Sequence, residues 1–198
     1  MTLLDPAVAL APAPAPPRTL NVPNALTLGR LLVVPLLAFV LASAMDTDGG
    51  RVLAWALFAG ACITDVVDGR LARARGQITS FGVMADPIAD KALVGTAMVG
   101  LSLLGLLPWW ATAVVLGREV AVTALRTAVL RHGLIPASRG GKMKCLAQNT
   151  AVGLYLLPLT GVLVDVREPA LYLAVVLTVL TGLDYAAHAV RLRSSQLR

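Results

Sequence analysis

Residues 65–90 read DVVDGRLARARGQITSFGVMADPIAD and set four aspartates, Asp65, Asp68, Asp86 and Asp90, in two pairs beside strongly apolar segments. With Gly69, Ala72, Arg73 and Gly82 they form the pattern Asp-x2-Asp-Gly-x2-Ala-Arg-x8-Gly-x3-Asp-x3-Asp. An ionised carboxylate near a bilayer is costly, so four that converge demand compensation by cations. Hard divalent metals suit oxygen donors of this kind, and a metal-loaded carboxylate cluster suits phosphate chemistry.

The surroundings of the motif set the class of protein. Of 198 residues, 57% are hydrophobic and only 14% charged, with a mean hydropathy of +0.77. A soluble domain carries about 25% charged residues. Several apolar stretches reach the length of about 20 residues that spans a bilayer as a helix. The chain reads as an all-α integral membrane protein, with transmembrane helices expected at about 25–44, 51–71, 81–107, 109–131, 145–164 and 169–190. Asn24 or Thr27 is placed to cap the first of them. Residues 1–17, with their APAPAPP run, form an Ala/Pro-rich tail expected to be disordered, which leaves 18–198 as one six-helix membrane catalytic domain.

The net charge of +6 and pI near 10.0 do not mark a nucleic-acid binder. Such proteins cluster basic residues on one soluble face, often beside aromatics. Here Arg18, Arg30, Arg70, Arg73, Arg75, Lys91, Arg131, Arg139, Lys142, Lys144, Arg191, Arg193 and Arg198 lie on one side, in or toward alternate connections, with Arg118 and Arg126 on the adjoining helix. The opposite connections carry Arg51 and Arg167 against Asp46, Asp48, Asp165 and Glu168. By the positive-inside rule, both termini and the aspartate motif face the cytoplasm. Trp55, Trp109 and Trp110 suit an outer interfacial belt. Cys62 and Cys145 match no metal or redox spacing, and His132 and His188 lack a partnered motif.

Residues three or four apart share a helix face. Asp65 and Asp68 therefore point one way at the inner end of the second helix, and Asp86 and Asp90 do so near the start of the third. If the two helices run antiparallel, both pairs converge. Gly69 and Gly82 open space beside that point. Arg73 is within reach of a phosphate there. Such a site can hold two Mg²⁺ or Mn²⁺ ions about 3.5–4 Å apart. The plainer alternative pairs these acids only with Arg70, Arg73, Arg75 and Lys91, but it does not account for eight fixed positions at this spacing.

This eight-position pattern resembles that of the CDP-alcohol phosphotransferases, and every position is matched. The resemblance runs on through Asn21-Val-Pro-Asn-Ala-Leu-Thr-Leu-Gly-Arg30, Asp86-Pro-Ile-Ala-Asp-Lys91, Gly117-Arg-Glu-Val120, Leu125-Arg126, Gly141-Lys-Met-Lys144 with Gln148, and Asp184-Tyr185. These segments are similar to the bacterial branch that forms phosphatidylglycerophosphate, and they cover about residues 21–190. The resemblance implies a six-helix membrane fold, a homodimer, and a site open to the cytoplasmic leaflet. It also implies transfer of a phosphatidyl group from CDP-diacylglycerol to an alcohol, with release of CMP. Carried over by position, it gives Asp65, Asp68 and Asp86 as ligands of the metals, with Asp90 as both ligand and general base. It gives Asp68, Gly69, Ala72, Arg73 and Gly82 to the CDP site, together with Asn24, Thr27 and Arg30 of the opening segment.

The acceptor is a separate question. Glycerol 3-phosphate is a dianion and needs a basic pocket beyond the metals. Arg118 and Arg126 lie two turns apart on the fourth helix, about 80° apart around its axis. Arg139, Lys142 and Lys144 lie across the following loop, and Arg and Lys together make a phosphate seat. In the blander alternative Arg118 pairs with Glu119 and the lysines only obey the positive-inside rule. The matched segments favour glycerol 3-phosphate. Inositol phosphate or phosphatidylglycerol as acceptor are alternatives within the same chemistry. A cation transporter is the alternative from another class, but these acids lie at the inner end rather than mid-membrane and no repeated half is apparent.

Overall fold

The computed structural model describes residues 22–75, 80–129 and 139–195. They form α1 (Val22–Ser43), α2 (Asp48–Arg75), α3 (Ser80–Leu103), α4 (Trp109–Val129), α5 (Arg139–Leu156), a 3₁₀ turn (Gly161–Val166) and α6 (Arg167–Ser195). No strand occurs among the described residues. The expected tail at 1–17 lies outside them, as does most of the connection between α4 and α5.

The bundle inverts the polarity of a soluble protein. Leu32, Phe39, Leu103 and Val120 are 67–73% exposed, whereas Thr27, Arg30, Asp68, Lys144, Gln148 and Thr178 are buried. Apolar side chains outside and polar ones inside suit a lipid solvent, in which only internally satisfied polar groups are tolerated. Three helical segments are long and apolar enough to cross a membrane: Ala25–Ser43, Asp48–Arg70 and Gly161–Ala189. The helices α3, α4 and α5 fall outside that group, and they carry charged residues such as Asp86, Asp90, Lys91, Arg118, Glu119 and Lys144 within their lengths.

Six helices stand close to the expected positions, with informative differences at their ends. The α1 helix begins at Val22, so Asn24 and Thr27 lie inside it and neither caps it. The α2 helix continues through Gly69 to Arg75, because Arg-Leu-Ala-Arg-Ala-Arg is a run of strong helix formers. The α5 helix starts at Arg139 rather than near residue 145, so Lys142 and Lys144 are helical. The α3 helix stops at Leu103, not at 107. There Gly105 takes φ +70, the Leu106 N–H bonds the Leu101 carbonyl at 2.9 Å, and the Gly105 N–H bonds that of Ser102 at 3.1 Å. That pair of bonds is the Schellman closure, which favours glycine at the left-handed position.

The last carbonyls of α5 are held by two arginines. Arg51 of α2 donates to the carbonyls of Tyr155 and Leu157 at 3.1 and 3.0 Å, and Arg167 of α6 donates to those of Leu154 and Leu157 at 3.0 and 2.6 Å. Unpaired helix-terminal carbonyls are expensive away from water, so this clamp fixes the far end of α5 between α2 and α6.

The core that positions the motif lies among α1, α2 and α3. Leu37, Val40 and Leu41 of α1, Ala54 and Phe58 of α2, and Leu93, Ala97, Met98 and Leu101 of α3 are buried together. A Cβ on Gly100 would sit 2.7 Å from Leu41 Cδ1, so glycine is what lets α1 and α3 approach this closely. With the helices locked in this register, the first turns of α1 face the late turns of α2 and the early turns of α3.

Candidate active site

Three helices supply the site. Asp65 and Asp68 sit one turn apart on α2, Asp86 and Asp90 one turn apart on α3, and Thr27 and Arg30 one turn apart on α1. Arg30 is 2% exposed and bridges the α2 pair. Its Nη1 donates to Asp65 Oδ1 and its Nη2 to Asp68 Oδ2, each at 2.5 Å. The Asp68 carboxylate, itself buried, also accepts the backbone N–H of Gly69. The Thr27 hydroxyl donates to Asp86 Oδ1 at 2.6 Å. The α1 helix therefore stitches α2 to α3 through one ion-pair fork and one hydroxyl.

Asp90 differs from the other three. Among the described residues it makes no hydrogen bond or ion pair, although it lies within electrostatic range of Asp65, Lys144, Arg30 and Glu119. A carboxylate free of donors keeps its lone pairs for an incoming proton. Pro87, inside α3, lacks the N–H that would bond the carbonyl of Val83 one turn back.

Beside the aspartates lies a second polar cluster on α4, α5 and α6. Glu119 pairs with Arg118 at 2.9 Å and with the buried Lys144 of α5. Arg118 also donates through Nε to the Thr178 carbonyl at 3.1 Å and through Nη2 to the Thr181 hydroxyl at 3.0 Å. The Arg118–Glu119 pairing weighed from sequence is thus present, and each guanidinium nitrogen of Arg118 has a protein acceptor. Lys91, next to Asp90, donates to the Thr123 hydroxyl. Gln148 lies one turn beyond Lys144, 5% exposed, with its Oε1 unpartnered.

Some expected site residues lie outside these clusters. Lys142 is exposed on α5. Asn24, Ala72, Arg73, Arg126 and Arg139 are helical, but their side chains fall outside the described ones. Gly69, next to Asp68, is half-buried, and Gly82, one turn before Asp86, is buried. Sequence reasoning did not see that Arg30 and Thr27 hold three of the four aspartates. The available signal was their own three-residue spacing, which puts both on one face of α1.

The donor set bears on metal binding in two ways. All four groups are hard carboxylate oxygens, the chemistry that Mg²⁺ and Mn²⁺ prefer, and Arg30 is a single cation facing an excess of anions. By chemistry the residues fit a divalent ion. By position, no three carboxylates among the described residues are gathered tightly enough to enclose one.

An apolar groove of about 360 Å³ runs between α2 and α5, lined by Trp55, Phe58, Cys62, Ile63, Gly153 and Leu154 among others. Trp55, expected only as an interfacial anchor, forms one wall of it. Cys62 stands one turn from Asp65 and within electrostatic range of Asp90 and Arg30, so the groove abuts the carboxylates.

The sequence has known relatives. Residues 20–180 match the family model of the CDP-alcohol phosphatidyltransferases. The chain is 52% identical over 179 residues to the "Probable phosphatidylglycerophosphate synthase" of Mycobacterium tuberculosis, covering 88% of this chain and 84% of that protein. It is 36% identical to the "CDP-diacylglycerol--glycerol-3-phosphate 3-phosphatidyltransferase" of Bacillus subtilis, covering 83% of this chain and 93% of that one. The protein of that name from Escherichia coli is also 36% identical, over 85% of this chain and 94% of its own length. With the match spanning most of its length, from α1 into α6, this chain belongs to the CDP-alcohol phosphatidyltransferase family.

Proposed function

We propose that this protein transfers the phosphatidyl group of CDP-diacylglycerol to the hydroxyl of sn-glycerol 3-phosphate, giving phosphatidylglycerophosphate and CMP. The observation that carries the reading is the placement of Asp90. Among the described residues it is a carboxylate without a donor, set between the Arg30-bridged aspartates and the Lys144–Glu119–Arg118 cluster. One side suits a diphosphate and the other a phosphorylated alcohol, with a proton acceptor between them. The names of the relatives, similar over more than four-fifths of both chains, point the same way.

In this reading Asp90 takes the proton of the acceptor hydroxyl as that oxygen bonds to the β-phosphorus of CDP-diacylglycerol. The bond from the β-phosphorus to the oxygen bridging it to the α-phosphate breaks, and CMP leaves with the electron pair. Asp65, Asp68, Asp86 and Asp90 would hold Mg²⁺ or Mn²⁺, which when bound would neutralise the diphosphate and the departing phosphate. Asn24, Thr27, Arg30, Gly69, Ala72, Arg73 and Gly82 line the CDP side. Arg118, Arg126, Arg139, Lys142 and Lys144 serve the acceptor phosphate. The donor's acyl chains have an apolar seat beside the site in the α2–α5 groove. Direct in-line transfer is favoured over a phosphatidyl-enzyme, because no activated nucleophile stands at the carboxylates.

The protein is placed in the cell membrane with all six helices crossing and the site facing the cytoplasm, on the strength of the basic residues at that end. A homodimer is the expected assembly, and the apolar exterior suits a second copy as well as lipid. The test is CMP release by purified protein given CDP-diacylglycerol, a divalent cation and one of three acceptors. Glycerol 3-phosphate is expected to be used in preference to inositol phosphate and phosphatidylglycerol. CMP release with inositol phosphate alone refutes the acceptor, and none with any of them refutes the chemistry.

A further inference from the structure

Glu119 faces cations from three helices. Its Oε1 accepts from Arg118 Nη1 on α4 at 2.9 Å and from Lys144 Nζ on α5, and Lys91 of α3 lies within electrostatic range. The ion-paired side chains are well sheltered, at 17% exposure for Arg118, 18% for Glu119 and 7% for Lys144. The far side of Arg118 is fastened to α6 by Thr178 and Thr181. There α6 carries Gly182, where a Cβ would stand 3.1 Å from both Cγ and Nε of Arg118. Lys91 donates to the Thr123 hydroxyl, which in turn donates to the Glu119 carbonyl at 2.7 Å. Four helices thus meet on one residue of α4.

The charge balance points to a ligand. Lys91, Arg118 and Lys144 against Glu119 leave about two positive charges within the cluster, of which the neighbouring Asp90 offsets part, and a phosphomonoester carries about −1.5 to −2 at pH 7. The cations repel one another at this range, and the carboxylate among them holds them as a group. It also sets where Lys144 points. Lys144 is within electrostatic range of Asp90 as well as Glu119, and it bonds Glu119. Without that partner, the nearest competing anion for the ammonium is Asp90.

We propose that Glu119 is a positioning residue for the acceptor's phosphate. It holds Arg118 and Lys144, with Lys91 beside them, as one dipositive seat for a phosphomonoester and keeps Lys144 off Asp90. The inference rests on the reading above that the acceptor is a phosphorylated alcohol, and it adds Glu119 and Lys91 to the residues that read it.

The test uses full-length Glu119→Gln and Glu119→Asp in the CMP-release assay, with KM measured for each substrate and inorganic phosphate as a competitor of glycerol 3-phosphate. For Glu119→Gln, kcat/KM for glycerol 3-phosphate is expected to fall by about 10-fold or more while KM for CDP-diacylglycerol stays within about two-fold. Inorganic phosphate should inhibit more weakly than before, because the cations that seat it are no longer held as a group. Glu119→Asp should recover most of the loss. An unchanged kcat/KM for glycerol 3-phosphate overturns the proposal. So does a parallel rise in both KM values, the mark of a loosened bundle. If Glu119→Gln does not fold, Gly182→Ala carries the test by pushing on Arg118, with a smaller loss confined to glycerol 3-phosphate expected and a normal KM for it overturning the idea. A wild-type enzyme that makes no CMP from glycerol 3-phosphate would sink the underlying reading instead.

Discussion

Replacing Arg30 by methionine removes a buried charge and leaves a side chain of similar length. The cost follows from how differently its two partners are exposed. Asp68 is 4% exposed in its side chain and stays buried without its cation, whereas Asp65 is 43% exposed and can be solvated. Stripping one partner from a buried pair costs about 3–5 kcal/mol, and a half-exposed pair contributes about 0–1 kcal/mol. Since Asp68 keeps the Gly69 N–H, the lower half of that range is the better guide, and Arg30→Met should cost about 3–4 kcal/mol. For a chain of this size that is a fall of roughly 10 °C in Tm. The assay is thermal unfolding of detergent-purified protein, first with a chelator and then with millimolar Mg²⁺ or Mn²⁺. The divalent ion should recover more of the stability of Arg30→Met than it adds to the wild type, because it supplies the missing charge to the same carboxylates. A loss below about 1 kcal/mol under chelation would refute the burial argument. A full loss that neither ion reduces would refute the carboxylates as a divalent site.

Asp90→Asn should lower kcat by about 10² to 10⁴ while leaving Tm near the wild-type value, since Asp90 holds no hydrogen bond among the described residues; a variant that keeps near-normal turnover removes Asp90 as the base. Arg51→Ala strips two donors from the end of α5 and should cost about 2–3 kcal/mol, read as lower Tm and faster amide exchange around residues 154–157. Arg167 shares the Leu157 carbonyl, which is orphaned only when both arginines are gone, so the double substitution should cost more than the sum of the singles, and strict additivity would show that the two arginines act separately. Gly153→Leu fills the groove beside Trp55 and should raise KM for CDP-diacylglycerol several-fold with little change for glycerol 3-phosphate; equal effects on both would remove the groove as the acyl seat.

Much of this arrangement is written locally. The apolar lengths give six helices, and the three- and four-residue spacings of the aspartates give their shared faces. What sequence reasoning could not supply was the partner of each charge. Arg30 looked like one more basic residue near the inner end, and only the packing of Leu37 and Leu41 against α3 shows that α1 lies where its guanidinium reaches both Asp65 and Asp68. Helix ends failed where local signals conflicted. Gly140 and Gly141 read as loop, yet α5 runs through them, because Lys144 is drawn into the bundle by Glu119. The stop of α3 was missed by four residues because its signal is one glycine with positive φ among leucines.

The central claim is that the carboxylates of α2 and α3 move a phosphatidyl group from CDP-diacylglycerol to glycerol 3-phosphate. Its most direct test is to incubate the purified protein with both substrates and Mg²⁺, then quantify CMP and identify the lipid product by mass spectrometry. The same reaction is run after chelation and with Asp90→Asn. The account predicts phosphatidylglycerophosphate and CMP in equal amounts from the wild type, and neither in appreciable amount from the other two. CMP without phosphatidylglycerophosphate, or equal yields from all three, would contradict it.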